Sequence, residues 1–146
     1  MLASLQLIAI LCCALFAGAA LYVNAVEHPA RMSCGTELAV AQWAPSYRRA
    51  TWMQAPLALV GFVSAAAAWL AGSGIVWLLG GILLGLVVPV TLIVIMPTNQ
   101  RLLSSSLDRR SEEARDLLAR WNALHGIRTA LSLAALLLFL GAAALT

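Results

Sequence analysis

Hydrophobic and polar positions alternate in blocks along this chain, not within single turns. Residues 1–26, 50–100 and 129–146 contain no Asp, Glu, Lys or Arg, and every charged side chain and both histidines lie in 27–49 or 101–128. An amphipathic helix of a soluble protein mixes the two kinds of residue within each turn. Whole blocks of one kind are the signature of bilayer spans. About 20 apolar residues cross the hydrocarbon core. The blocks therefore predict four spanning helices, over 2–26, 55–71, 75–96 and 127–145. The expected fold is an all-α integral membrane four-helix bundle forming a single domain over 1–146. A polar connection over 30–53 joins helices 1 and 2, and a charged surface helix over 104–120 precedes helix 4.

Local signals refine this layout. The first run has no basic residues ahead of it, and apolar sequence continues past Ala17-Gly-Ala-Ala20. It reads as a retained span, not a cleaved leader. Pro29 cannot donate an N–H and disfavours helical geometry at His28, so the first helix is expected to end or kink there. Pro56 opens the second span, Gly72-Ser-Gly74 makes a tight turn, and Pro89 kinks the third span. Gly81 and Gly85 form a GxxxG pair, which lets another backbone approach closely, from within the chain or from a second copy. Along 104–120, acidic residues interleaved with Arg109, Arg110 and Arg115 are accounted for by a solvated helix face.

Composition agrees with a membrane protein: 62% of residues are hydrophobic and 10% charged. The net charge of +3 divides as +1 over 27–49 and +2 over 101–128, and all nine basic residues are Arg. Four spans put both charged segments on one side and both termini on the other. By the positive-inside bias the charged side is cytoplasmic, which suits a bacterial inner membrane. The same bias explains the basic excess without nucleic acid. Cys12, Cys13 and Cys34 form no metal or redox pattern. There is no glycine-rich nucleotide motif, GxSxG or nucleic-acid motif.

Two segments carry candidate chemistry. Asn24, Glu27, His28 and Arg31 lie where the first apolar run stops, and Trp121, Asn122, His125 and Arg128 where the last begins. At 100° per residue, Trp121, His125 and Arg128 fall within about 60° of one another, with Asn122 and Thr129 flanking that face. Asn24 and His28 are four apart and share a face, and Glu27 and Arg31 lie near it if the helix continues. Both segments sit at one depth, so the imidazoles are expected to meet. Imidazole is a competent general base near neutral pH. Asn and Arg can hold an oxyanion or enolate. Ionisable groups at membrane depth point to a functional site. Trp43 and Tyr47 read first as interface anchors and second as walls of that site. Arg48 and Arg49 are placed to reach lipid headgroups. Two other uses of these residues stand beside acid–base work. His28, His125 and Glu27 form a candidate two-histidine, one-carboxylate set for iron or copper, and two histidines can ligate haem. A non-enzymatic carrier or accessory subunit also fits.

The pattern Asn24-x-x-Glu-His-Pro-Ala-Arg31, the Trp43…Tyr47…Arg49 stretch, Pro97-Thr-Asn99 and Trp121-Asn-x-x-His-x-x-Arg-Thr129 together resemble the anthrone oxygenase-like family. These are small four-span membrane proteins, many of them filed as a domain of unknown function. The resemblance covers nearly the whole chain. It implies a membrane oxygenase that takes a lipophilic anthrone or polycyclic phenol to a quinone with dioxygen and no flavin, haem or added metal. On this chain, His28 or His125 would remove the acidic ring proton, and Asn24, Asn122 and Arg128 would hold the enolate. Glu27, Arg31, Trp43, Tyr47, Asn99 and Trp121 would line the substrate.

Overall fold

The computed structural model describes residues 1–145. Four continuous helices are long and apolar enough to cross a membrane: α1 (Leu2–Ser33), α2 (Thr36–Leu70), α3 (Ile75–Leu102) and α4 (Glu112–Ala144). No strand occurs among the described residues. Each helix packs on the next, and α4 closes back on α1, giving an up-down-up-down bundle. Large apolar side chains point outward along the spans, among them Leu15, Leu59, Ile93 and Leu137. Such a surface suits lipid, and the chain is an integral membrane protein.

The helices outrun the predicted spans. At 1.5 Å per residue, the 35 residues of α2 extend roughly 50 Å, well beyond a hydrocarbon core of about 30 Å. The stretch over 30–53, expected as a connection, is helical except at a tight turn. That turn is made by Cys34 and by Gly35, whose φ of +90° favours glycine. Pro45 and Pro56 both lie inside α2. The expected surface helix over 104–120 starts only at Glu112 and then runs unbroken into the last span. Ser111 caps it, accepting from the Ala114 N–H at 3.1 Å. Residues 104–111 are non-helical.

Pro29 does not end α1. The five residues Val23–Glu27 widen into a π-turn, after which regular helix resumes at His28 and continues to Ser33. The wider turn absorbs the carbonyl that Pro29 cannot satisfy. Pro97 stands in the same relation to α3, two residues after a second π segment over Val90–Ile95, whereas Pro89 precedes that segment. There Thr91 donates its hydroxyl to the Val87 carbonyl at 2.6 Å.

The GxxxG pair is used inside the chain. A Cβ at Gly81 would lie 3.0 Å from the Ala65 Cβ, and one at Gly85 would lie 3.2 Å from the Phe62 ring, both on α2. Beyond Gly85 these two helices splay apart. Two apolar clusters result. One, in the lipid-embedded half, contains Phe16, Ala58, Ala65, Trp77, Leu84 and Phe139. The other, in the charged half, contains Val23, Trp43, Ile95, Leu102, Leu118 and Trp121. Buried polar side chains lie between them.

Candidate functional site

On α4 the buried stripe runs Trp121, His125, Thr129, Ser132, one turn per step. Asn24, on the π-turn of α1, faces this stripe and ties it together. Its amide nitrogen donates to the Asn122 backbone carbonyl at 2.9 Å and to the Asn122 Oδ1 at 2.7 Å. Its amide oxygen accepts from the Thr129 hydroxyl at 2.6 Å and lies 2.8 Å from His125 Nδ1. This network fixes the histidine tautomer. A backbone carbonyl only accepts, so the Asn24 nitrogen must face Asn122. The Asn24 oxygen then faces His125, and because an amide oxygen also only accepts, Nδ1 must be the donor. The neutral ring consequently carries its lone pair on Nε2. His125 lines a cavity of about 20 Å³ together with Val23, Tyr47, Gln54, Trp121 and Arg128. A space of that size holds roughly one water molecule.

The two imidazoles meet across an indole. His28 stacks on Trp121 at 5.7 Å between centroids, and His125 packs on the same ring at 4.8 Å. Trp43 meets Trp121 edge-on at 5.7 Å and stacks on Tyr47 at 5.1 Å. Trp43 is completely buried, so it lies inside the bundle and is not an interface anchor. The reason is the length of α2: what reads as the membrane boundary is the interior of a bundle that continues past it.

Glu27 and Arg31 pair with each other, one turn apart. The same Glu27 oxygen accepts from Ser46 Oγ at 2.7 Å and from Gln42 Nε2 at 3.0 Å, which pins the end of α1 to α2. The Arg31 guanidinium lies 5.9 Å from the Trp121 ring centroid, within cation–π range. Glu27 is therefore engaged in a clamp. Among the described residues, no three His, Cys, Asp or Glu side chains come together as a metal-ligand group, so the set His28, His125 and Glu27 does not converge.

Arg128 is the cation closest to the lipid-embedded core. Its Nη2 donates to Gln54 Oε1 at 2.7 Å, and its guanidinium lies 5.3 Å from the Phe16 ring centroid. None of the ion pairs among the described residues includes it. Gln54, near helical spacing with Trp43 and Tyr47 in the sequence, was not among the candidate site residues. The available signal was an amide standing in a block of residues without charge. Asn99 is buried on α3 at 1% exposure, and neither of its amide atoms has a partner. It lines neither of the cavities that touch Arg128.

The family model described as anthrone oxygenase matches residues 43–138, about two thirds of the chain. The chain belongs to the anthrone oxygenase family. The matched range contains Trp43, Tyr47, Gln54, Asn99, Trp121, His125 and Arg128, and the Asn24–Arg31 segment lies ahead of it. No curated protein and no solved structure matches the chain. For this member of the anthrone oxygenase family, the geometry brings together one unprotonated imidazole nitrogen, two arginines, of which Arg31 pairs with Glu27 and Arg128 with no carboxylate, and several aromatic rings.

Proposed function

We propose that this protein is a membrane oxygenase that converts a lipophilic anthrone or similar polycyclic phenol to the corresponding quinone. The observation that carries the reading is the Asn24–His125 hydrogen bond, which leaves Nε2 as a base beside Arg128. Nε2 takes a proton from the acidic ring CH₂, a step for which positioned general bases contribute about 10²–10⁴-fold. Arg128 and the surrounding polar groups stabilise the negative oxygen of the enolate. The electron-rich anion then passes an electron to dioxygen, the two fragments join as a carbon-bound peroxide, and the proton held on Nε2 returns to it to give the hydroperoxide. Loss of water gives the carbonyl. The balance is one CH₂ and one O₂ to one C=O and one H₂O. The chain's contribution is proton removal, charge stabilisation and exclusion of bulk water.

All nine Arg residues belong to the end of the bundle that holds the site. This supports an orientation in a bacterial inner membrane with the charged end cytoplasmic and both termini opposite.

Oxygen uptake by the purified protein with anthrone, measured above the buffer rate, tests the reading. Stoichiometric anthraquinone is expected, and chelation of metals should leave the rate unchanged. His125→Gln should lower it about 10²–10⁴-fold. His28→Phe, which keeps a ring on Trp121, should lower it less. A His125→Gln protein as fast as the wild type refutes the mechanism.

A further inference from the structure

A second cavity, about 120 Å³ in volume, opens where α2 and α3 splay beyond Gly85. Its floor is Phe16, Ala58 and Val87, all buried to within 1%. Its rim is Thr51, Ala55, Val88 and Leu92, all exposed on the lipid-facing surface. On that side it adjoins a wider apolar groove that shares Ala58 and Val88 and continues to Phe62 and Pro89. It shares Tyr47, Thr51, Gln54 and Arg128 with the small cavity that His125 lines. The crevice and the histidine cavity thus adjoin along Tyr47, Thr51 and Gln54 of α2 and at the Arg128 guanidinium.

Among the described residues that line the crevice, Arg128 alone is charged. Arginine has five N–H donors, and Arg128 uses one side-chain hydrogen bond, to Gln54, beside its contact with the Phe16 ring. Arg128 is half-buried, and a cation partly withdrawn from water without a carboxylate is costly unless an anion joins it. The crevice walls are apolar and aromatic, and the two helices stand apart as the sides of a slot. We infer that this crevice admits a flat polycyclic aromatic anion laterally from the bilayer and seats its negative oxygen on Arg128. The inference rests on the proposed oxygenase reading only for the identity of that molecule as substrate, a polycyclic phenolate. Access is then from the hydrocarbon side, and the charged end of the bundle is not the route.

Anthracene-9-carboxylate tests this separately from turnover, because it is flat, anionic and fluorescent and has no acidic CH₂ to oxidise. It would be titrated against the full chain in nanodiscs of zwitterionic lipid, with neutral anthracene as the comparison. Saturable binding of the carboxylate is expected. Arg128→Met, which keeps the stem over Phe16, should weaken it about tenfold or more and leave anthracene unchanged. Val88→Trp, at an exposed rim position that tolerates bulk, should weaken both probes. No saturable binding, or binding indifferent to both substitutions, overturns the inference. Where Arg128→Met fails to fold, Val88→Trp alone decides. Probe binding without anthrone turnover would remove the oxygenase reading and keep the crevice. Anthrone turnover unaffected by Val88→Trp would do the reverse.

Discussion

Replacing Asn24 with Leu removes four hydrogen bonds while nearly conserving side-chain volume. The lost partners are the Asn122 carbonyl, the Asn122 side chain, Thr129 and His125. The Asn122 carbonyl lies within α4 and Thr129 has a second, longer contact to the His125 carbonyl at 3.5 Å, so neither is fully stranded. The His125 Nδ1–H has no such alternative. One buried donor left unmade costs about 1–3 kcal/mol, and the other bonds add a net 0.5–1.5 kcal/mol each. The terms sum to about 2.5–7.5 kcal/mol, and the lower half of that range is expected because the Asn122 carbonyl and Thr129 keep other partners. The effect on chemistry is separable from the effect on stability. The bond favours the Nδ1–H tautomer by about 1.5 kcal/mol, so its loss shifts the tautomer ratio roughly tenfold and the rate with it. Asn24→Leu should thus fall between the wild type and His125→Gln. With only two histidines in the chain, nitrogen NMR of histidine-labelled protein reads the tautomer directly. An Nε2-protonated His125 in the wild type would falsify the assignment, whatever the rates.

Further outcomes follow from packing. Trp121→Ala should cost about 3–5 kcal/mol in a detergent unfolding titration, because the indole supports both imidazoles, Trp43 and Arg31 at once; an unchanged midpoint would show that the cluster is not a packing centre. Gly80→Ala places a Cβ 2.6 Å from the Phe139 ring, which is held by stacking on Trp77 at 5.3 Å. Overpacking of about 1–3 kcal/mol is expected, measured as a lower melting temperature. Glu27→Ala leaves Arg31 buried without its carboxylate. Because the Glu27 side chain is 23% exposed, the loss should be about 1–3 kcal/mol, below the 3–5 kcal/mol of a fully buried pair; a stability equal to wild type would remove the clamp.

The bundle was legible because charge is confined to two blocks, and bilayer physics leaves few alternatives for the apolar remainder. The pairing of the Asn24 and His125 segments was legible from depth and helical phase. The lengths of the helices were not. Glu37, Gln42, Arg48 and Pro45 make the start of α2 look like a loop, and it is helical because α1 and α4 extend past the membrane with it and give it a face to bury. That same extension turns Trp43 inward. The tautomer of His125 could not be read from spacing at all, since it depends on which way one amide faces. Gln54 falls near helical spacing with Trp43 and Tyr47, but nothing in the sequence shows that Arg128 would reach it.

The π-turn at Val23–Glu27 has a consequence for how the site tolerates change. A π-turn amounts to one residue inserted into an α-helix, so everything before it is rotated by about 100° relative to everything after it. Asn24 and His28 are aimed at α4 by this phase offset. Length in this stretch is therefore a tighter requirement than composition. Swapping Ala25 or Val26, both on the exposed side, alters a lipid-facing surface. Deleting either one would let the turn relax to an ordinary α-helix and swing one half of the constellation away from the other, with every functional residue still present in the chain.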